Sequence, residues 1–392
     1  MRIVRVERTI RRFMSSLNGM NGSHGGRFPV RRDWTLDEVR RVYSQNLLEL
    51  MYQGATAHRE NFNPQEVQKC TLLSIKTGGC PEDCKYCSQS SKYKTSVKAE
   101  VLMQVDDVLA QAKKAKDAGS TRFCMGAAWR GASQVGPRQF QRVLDMVTGV
   151  REMGLEVCAT LGLVNAEQAR MLKEAGLTAY NHNLDTSREF YPKVITTRNY
   201  DDRLQTLQNV RDAGLSVCCG GIIGLGESHQ DRVSMIHTLA TLPNHPESVP
   251  VNALVVNEGT PLEGTKPLPV WDLCRMIATA RIIMPASMVR LSAGRVSLSP
   301  SEQALCFFAG ANSIFTGDKL LTTPNSDMDE DKVLFETLGI RGKPPVFAEE
   351  EHANDGVGTQ PFSAEEEHGN DKVAAQPFFA EEEYVKQNVA AR

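Results

Sequence analysis

From Thr71 to about residue 318 the chain alternates between short apolar runs and longer segments whose apolar residues recur every three or four positions. Residues 103–118 show the second pattern. Val105, Val108, Leu109, Ala112 and Ala115 fall on one helical face, and Gly119 follows where a helix C-terminus favours glycine. The runs at 71–76, 121–127, 156–162, 178–185, 216–224, 249–256, 288–293 and 312–316 read as strands. Helices are expected between them at 103–118, 138–153, 165–175, 200–213, 229–241, 270–283 and 300–309. Strict alternation implies parallel strands, since each crossover helix carries the chain back to the same end of the sheet. Eight strands over roughly 250 residues favour an α/β fold of the closed (βα)8 TIM type, with a doubly wound open sheet as the alternative. A barrel would place its site at the C-terminal ends of the strands.

The pattern changes at both ends. Thr35-Leu-Asp-Glu38 has the form of a capping box and predicts an N-terminal helical extension running to about Tyr52. Residues 1–32 carry eight arginines against one acidic residue, Glu7. On a helix, Ile3, Val6, Ile10, Phe13 and Leu17 form a stripe largely opposite Arg2, Arg5, Arg8 and Arg12, the build of a mitochondrial matrix presequence. Beyond residue 343, Ala-Glu-Glu-Glu recurs at 348, 364 and 380, a period of 16. Each repeat has too little apolar surface to stack, so residues 344–392 are expected to be a disordered acidic tail. The catalytic unit is therefore expected at 33–343.

Composition narrows the function. Among 392 residues, 45 Lys and Arg balance 47 Asp and Glu, so no global charge points to nucleic acid or an anionic membrane. No run of 18 apolar residues predicts a membrane span. The ten cysteines lie at 70, 80, 84, 87, 124, 158, 218, 219, 274 and 306, clustered and then scattered. That distribution fits metal-binding thiols in a reducing compartment better than a disulfide framework.

Cys80-Pro-Glu-Asp-Cys84-Lys-Tyr86-Cys87 places three thiols within eight residues. A loop this short can wrap three thiolates around one metal centre and leave one coordination position open. Zinc remains possible, although structural zinc takes four ligands and no nearby fourth Cys or His follows. A thiolate-held iron–sulfur cluster with one open iron is the better chemical match. Further on, Cys124, Cys158 and Cys218 each lie four or five residues after a glycine that ends a helix, which puts them at similar depths in strands two, three and five. Arg290, near the start of the seventh strand, joins that set. Individually such thiols are ordinary core residues; the repeated depth favours a shared site. Cys219, adjacent to Cys218, should face out of the barrel, and Cys70, ahead of the first expected strand, is read with Cys274 and Cys306 as a packing or surface thiol.

Asn181, Asn183 and Asp185 alternate along the fourth strand, and Asn252 lies on the sixth. Inward polar groups near strand ends carry a desolvation cost unless they bind something. The segment from Gly220 through Gly221, Gly224 and Gly226 to Glu227 would let a planar or ribose-bearing ligand approach the backbone.

The Cys-x3-Cys-x2-Cys loop, with Tyr86 before its last cysteine, resembles the signature of the radical S-adenosylmethionine superfamily. Its flanks, Ser74 to Ser91 and Tyr93-Lys-Thr, look specifically like those of the biotin synthase family. So do Gly119 to Trp129, Tyr180-Asn-His-Asn-Leu-Asp-Thr-Ser187, Val289 to Arg295 and Gly310 to Gly317. The likeness spans about residues 34–340. It implies that Cys80, Cys84 and Cys87 hold a [4Fe–4S] cluster that chelates S-adenosylmethionine, and that Cys124, Cys158, Cys218 and Arg290 hold a [2Fe–2S] cluster. It further implies that Tyr86, Asn183, Asp185, Arg203, Gly221, Ile223, Gly224 and Glu227 surround the adenosyl cofactor, and that Asn183 and Asn252 engage the ureido ring of dethiobiotin. The implied reaction is radical insertion of sulfur between C6 and C9 of dethiobiotin. The implied partners are a ferredoxin- or flavodoxin-type electron donor, iron–sulfur assembly proteins and a second copy of the chain in a homodimer. A radical enzyme of the same superfamily without sulfur insertion, or a zinc-stabilised scaffold, are the competing readings.

Overall fold

A computed structural model describes residues 28–326 and 328–345. The expected presequence up to residue 27 and the acidic repeats from residue 346 lie outside these described residues. Two helices come first, α1 (Leu36–Tyr43) and α2 (Leu47–Asn61). The Thr35–Glu38 capping box forms as expected: Thr35 Oγ1 accepts from Glu38 N at 3.3 Å, and Glu38 Oε2 accepts from Thr35 N at 2.8 Å. The helix it opens ends at Tyr43 rather than near Tyr52. Ser44 caps it, and α2 then packs against the later helix Val270–Ile283.

The barrel follows as β1 (Glu66–Lys76), α3 (Val105–Asp117), β2 (Arg122–Ala127), α4 (Pro137–Glu152), β3 (Glu156–Thr160), α5 (Ala166–Glu174) and β4 (Ala179–Asn181). It continues through α6 (Tyr191–Val194), α7 (Tyr200–Asp212), β5 (Ser216–Cys218), β6 (Gly221–Ile223), α8 (His229–Ala240) and β7 (Ser248–Ala253). Then come α9 (Val270–Ile283), β8 (Met288–Leu291), α10 (Pro300–Phe308) and β9 (Ser313–Phe315). A hairpin of β10 (Lys319–Leu320) and β11 (Thr323–Pro324), helix α11 (Met328–Leu338) and β12 (Arg341–Gly342) complete the fold.

Strands pair in parallel in the order β1-β2-β3-β4-β5-β7-β8-β9, and β9 returns to β1, closing the barrel. β5 and β6 are two halves of one barrel stave, interrupted at Cys219-Gly220. Glycine is required at the break, because a Cβ on Gly220 would collide with the carbonyl of Pro250. Helix ends such as Gly154 and Gly214 turn the chain at φ 78° and 72°, a conformation that favours glycine.

The registers fix which side chains share the interior. Cys124 lies opposite Cys158, and Cys158 opposite Ala179. Two residues on, Asn181 aligns with Cys218 and Cys218 with Ser248. After the next two-residue slip, Pro250 aligns with Arg290, Arg290 with Ser313 and Ser313 with Gln68. A third slip brings in Cys70 opposite Arg122, and a fourth returns the path to Cys124. Four slips of two residues give a shear of eight, the value of a TIM barrel. Cys70, Cys124, Cys158, Cys218 and Arg290 therefore all point inward. The strand containing Cys70 begins at Glu66, so this thiol lies within the barrel wall rather than ahead of it.

Outside the barrel, the helices bury aliphatic faces against the staves. α9 is buried nearly all round, including Leu273, Met276, Ile277, Ile282 and Ile283, because α2 covers its outer side. Full burial of each such side chain contributes about 2 kcal/mol. Cys219 packs in this shell, as its position next to Cys218 predicts; Cys274 and Cys306 are buried there too. Among the described residues no helix is long and apolar enough to cross a membrane.

Candidate active site

A cavity of about 330 Å³ opens at the C-terminal ends of the strands. Its rim is the loop after β1. Gly78 and Gly79, at φ 65° and 67°, turn this loop back on itself, and a Cβ on Gly78 would meet the Lys98 carbonyl oxygen at 2.6 Å. The loop closes through Cys80 N to Gln89 O at 3.0 Å, Ser91 N to Cys80 O at 2.7 Å and Cys87 N to Cys84 O at 2.9 Å. Cys80, Cys84 and Cys87 all line the cavity. Burial raises all three thiols, Cys84 to about 12 and Cys87 to about 11. Arg198 Nη2 lies 3.8 Å from Cys84 Sγ, and both Arg198 and Arg130 pair with the buried Glu82.

Asp83 ties the loop to the segment before α7. Its Oδ1 accepts from Thr196 N at 2.9 Å, Thr197 Oγ1 at 3.0 Å and Thr197 N at 3.2 Å. Burial alone would raise this carboxyl, but the hydrogen bonds outweigh it and hold the pKa down to about 2. A depressed folded pKa means stability that is present above the unfolded value near 3.8 and is lost as pH falls toward 2. Asp83→Asn is therefore expected to lower stability by about 1 kcal/mol, discounted because the carboxylate is partly solvated. Thermal unfolding of the cluster-free protein should show this gap undiminished from pH 7 to 5 and shrinking below pH 4. A gap independent of pH would contradict the assignment.

On the opposite wall stand the polar groups of the fourth stave. The strand ends at Asn181, earlier than the alternating pattern predicts, so Asn183 and Asp185 follow in irregular backbone, Asp185 at φ 68°. All three nevertheless line the cavity. Asp185 Oδ2 accepts from Tyr86 Oη at 2.8 Å and from Arg203 Nη2 in a buried ion pair. Arg203 also donates to Tyr191 Oη at 2.8 Å and to the Asn183 carbonyl. Asn183 Oδ1 accepts from Gly220 N at 3.1 Å. Asn252 donates to Gly221 O at 2.9 Å and accepts from Ala293 N at 3.2 Å, which fixes its amide facing the cavity.

Ile222 faces the cavity, whereas Gly221, Ile223, Gly224 and Glu227 are not among its lining residues. A Cβ on Gly221 would collide with Met235 of α8, so helix packing by itself requires glycine there. Glu227 accepts from Gly224 N at 2.9 Å and from Arg232 Nε at 2.7 Å, pinning its own loop.

Cys124, Cys158 and Arg290 line the cavity floor, and with Cys218 and Cys70 packed against Arg290 they form a chamber of thiols around one guanidinium. Cys124, Cys158, Cys218 and Arg290 are each at most 3% exposed. Arg290 donates from Nε to Ser313 Oγ at 2.9 Å, from Nη1 to Cys218 Sγ at 3.7 Å and from Nη2 to Cys70 Sγ at 3.3 Å and Gln68 Oε1 at 3.4 Å. Its ring-face neighbour is Phe315, 4.6 Å away. Among the described residues, none of its hydrogen bonds goes to a carboxylate. Although burial opposes it, Cys70, Cys218 and Cys124 hold the guanidinium charged. The neighbouring thiols of Cys158 and Cys70 raise the pKa of Cys124, while Cys124 lowers that of Cys158.

These donors fit iron–sulfur chemistry. A buried cation among four thiols needs anionic partners, and thiolates on iron with bridging sulfides supply negative charge. Among the described residues no group of three or more His, Cys, Asp and Glu side chains is spaced to hold a single metal ion. Sequence reasoning missed three features here. Cys70 contributes a fourth thiol; Arg198 leans on Cys84; and the hairpin residues Leu320 to Thr323 line the cavity beside Phe315, with Thr322 Oγ1 3.0 Å from Ser88 Oγ. Leu321 adopts φ 57°, uncommon for a non-glycine residue, with its side chain against Gly126.

Comparison with known proteins identifies the family. Residues 74–239 match the radical SAM superfamily, and residues 250–341 match the Biotin and Thiamin Synthesis associated domain. The mitochondrial biotin synthase of Arabidopsis thaliana is 63% identical over 83% of this chain and 86% of its own length. Biotin synthase of Cytophaga hutchinsonii is 64% identical over 80% of this chain and 92% of its own. The mitochondrial biotin synthase of Emericella nidulans is 57% identical over 79% of each. Among solved structures, methylornithine synthase superposes with a TM-score of 0.66 at 19% identity, covering 81% of this chain and 96% of its own. The FeFe-hydrogenase maturase HydG from Carboxydothermus hydrogenoformans gives 0.68 at 14% identity, covering 86% and 80%. At those identities the two structures speak for the fold alone. The sequence relatives go further: this chain belongs to the biotin synthase family of the radical S-adenosylmethionine superfamily.

Proposed function

We propose that one cavity of this enzyme holds two iron–sulfur centres and inserts sulfur between C6 and C9 of dethiobiotin. Family membership makes it a biotin-forming sulfurtransferase that uses an iron–sulfur cluster and S-adenosylmethionine. The finer assignment is that Cys80, Cys84 and Cys87 hold a [4Fe–4S] cluster, and that Cys124, Cys158, Cys218 and Arg290 hold a [2Fe–2S] cluster that donates sulfur. The observation carrying it is the second thiol set around Arg290: Cys124, Cys158 and Arg290 line the floor of the cavity whose rim bears the first set, and Cys218 bonds Arg290. When bound, the first cluster and S-adenosylmethionine supply a 5′-deoxyadenosyl radical, and the second supplies sulfur.

The chain's own residues then orient and exclude. Tyr86 and Arg203 both bond Oδ2 of Asp185, which leaves Oδ1 turned to accept a hydroxyl of the adenosyl ribose. Asn183 and Asn252, each anchored to backbone, keep further donor and acceptor positions for a ureido ring. The segment containing Gly221, Ile223, Gly224 and Glu227 acts from behind, setting the position of Ile222. Leu72, Trp129, Ala253 and Leu320 line the remaining wall and keep water from a radical. An external reductant and a sulfur-resupply system complete the cycle, and a homodimer is the proposed assembly. Two relatives are named as mitochondrial forms, which supports reading residues 1–32 as a presequence, with 33–343 catalytic and 344–392 outside the reaction.

Anaerobically reconstituted full-length protein, given dethiobiotin, S-adenosylmethionine and a low-potential reductant, should form biotin with methionine and 5′-deoxyadenosine. Cleavage of S-adenosylmethionine with dethiobiotin left unconverted would favour a radical enzyme of another reaction class.

A further inference from the structure

We propose that Cys70 is a fourth thiolate ligand for the second iron–sulfur centre, an alternative to Arg290 at the same coordination position. The inference rests on the two-centre reading above. Cys70 is fully buried, points into the barrel, and lies opposite Phe315 on one side and Arg122 on the other. Its Sγ is 3.3 Å from Arg290 Nη2, closer than Cys218 Sγ is to Nη1, and 3.9 Å from Ser313 Oγ, which Arg290 Nε also bonds. Within this small cluster, Cys70 packs with Cys124, Cys158, Ala179, Phe315 and Leu320, apart from the main core.

A cysteine kept only for packing would sit among apolar groups as a small hydrophobe. Cys70 instead shares a guanidinium with a proposed ligand. Chemistry separates the two candidates for the fourth position. A [2Fe–2S] cluster ordinarily takes four thiolates. A guanidinium must give up a proton it otherwise never loses, whereas a thiol loses its proton readily to a soft metal. The chamber thus offers two ligand sets from the same residues: three thiolates with Arg290, or four thiolates with Arg290 displaced to a hydrogen-bonding role. The second set carries one more negative charge and should retain iron when the guanidinium is missing.

The test compares four full-length proteins reconstituted anaerobically with ⁵⁷Fe: parent, Cys70→Ala, Arg290→Ala and the double variant. Mössbauer and resonance Raman spectra read the second centre, and the [4Fe–4S] signal with far-ultraviolet circular dichroism reports that the barrel is folded. Cys70→Ser, nearly equal in volume, repeats the comparison with the cavity filled. Parent, Cys70→Ala and Arg290→Ala should each retain the second centre, about two irons beyond the first. In Arg290→Ala its iron–sulfur vibrations should shift toward an all-thiolate pattern. In the double variant the second-centre signal should fall at least about tenfold, because only three soft ligands remain. Arg290→Ala and the double variant giving the same iron content and spectrum would overturn the proposal, as would loss of the centre in a folded Arg290→Ala. A parent protein without any second centre would instead overturn the two-centre reading itself.

Discussion

Cys84→Ala is expected to abolish biotin formation and reductive cleavage of S-adenosylmethionine alike, each by at least about 10³-fold, because a three-thiolate cluster site has no ligand to spare. Cys84 is the most buried thiol of the loop, at 6% exposure, and its backbone carbonyl receives Cys87 N at 2.9 Å. Truncation to alanine removes one sulfur from a small buried site, a stability loss of only about 1 kcal/mol. Folding should therefore survive while chemistry does not. Quantifying 5′-deoxyadenosine checks this without reference to the second centre. Cleavage within about tenfold of the parent rate would show that the loop does not hold the radical-generating centre.

The second large effect belongs to the buried pair of Asp185 and Arg203. Both side chains are only 4% exposed. Asp185→Asn preserves shape and tolerates the left-handed backbone at φ 68°, yet leaves the Arg203 guanidinium without its carboxylate. Breaking one side of a buried ion pair costs about 3–5 kcal/mol, against which Tyr191 and the Asn183 carbonyl offer only partial compensation. The urea midpoint of the cluster-free protein should drop accordingly. In the loaded enzyme KM for S-adenosylmethionine should rise at least about tenfold, since Asp185 also orients Tyr86 beside the loop thiols. Adding Arg203→Met to Asp185→Asn should restore part of the stability and none of the affinity. Unchanged stability and unchanged KM in Asp185→Asn would remove this pair from both roles.

The barrel was legible because its helices are amphipathic, several of them closed by Gly119, Gly154, Gly176, Gly214 or Gly310, and its staves are short apolar runs. What the pattern hid has physical causes. β1 starts at Glu66, well before the apolar run at Thr71, because Gln68 turns inward into a polar layer with Arg290 and Glu156. Cys70 consequently looked external to the fold. The fifth stave breaks in two where Gly220 meets the Pro250 carbonyl, a tertiary contact that no local pattern encodes. The fourth stave ends at Asn181, and Asn183 and Asp185 reach the cavity from irregular backbone, held there by Gly220 N and Arg203. The glycines from 220 onward read as ligand-facing, but Gly220 and Gly221 answer to Pro250 and Met235. The loop thiols were visible through spacing alone. Cys124, Cys158 and Cys218 were visible because a similar distance from a helix-ending glycine is a measure of depth in a barrel.

Mössbauer spectra of ⁵⁷Fe-reconstituted enzyme, recorded before and after one turnover with dethiobiotin, bear most directly on whether the chamber thiols hold the sulfur donor. Two centres should be present at the start, and the second should disappear in proportion to the biotin formed while the first persists. A single [4Fe–4S] signal that supports biotin formation, with Cys124, Cys158 and Cys218 each replaceable by alanine, would contradict it.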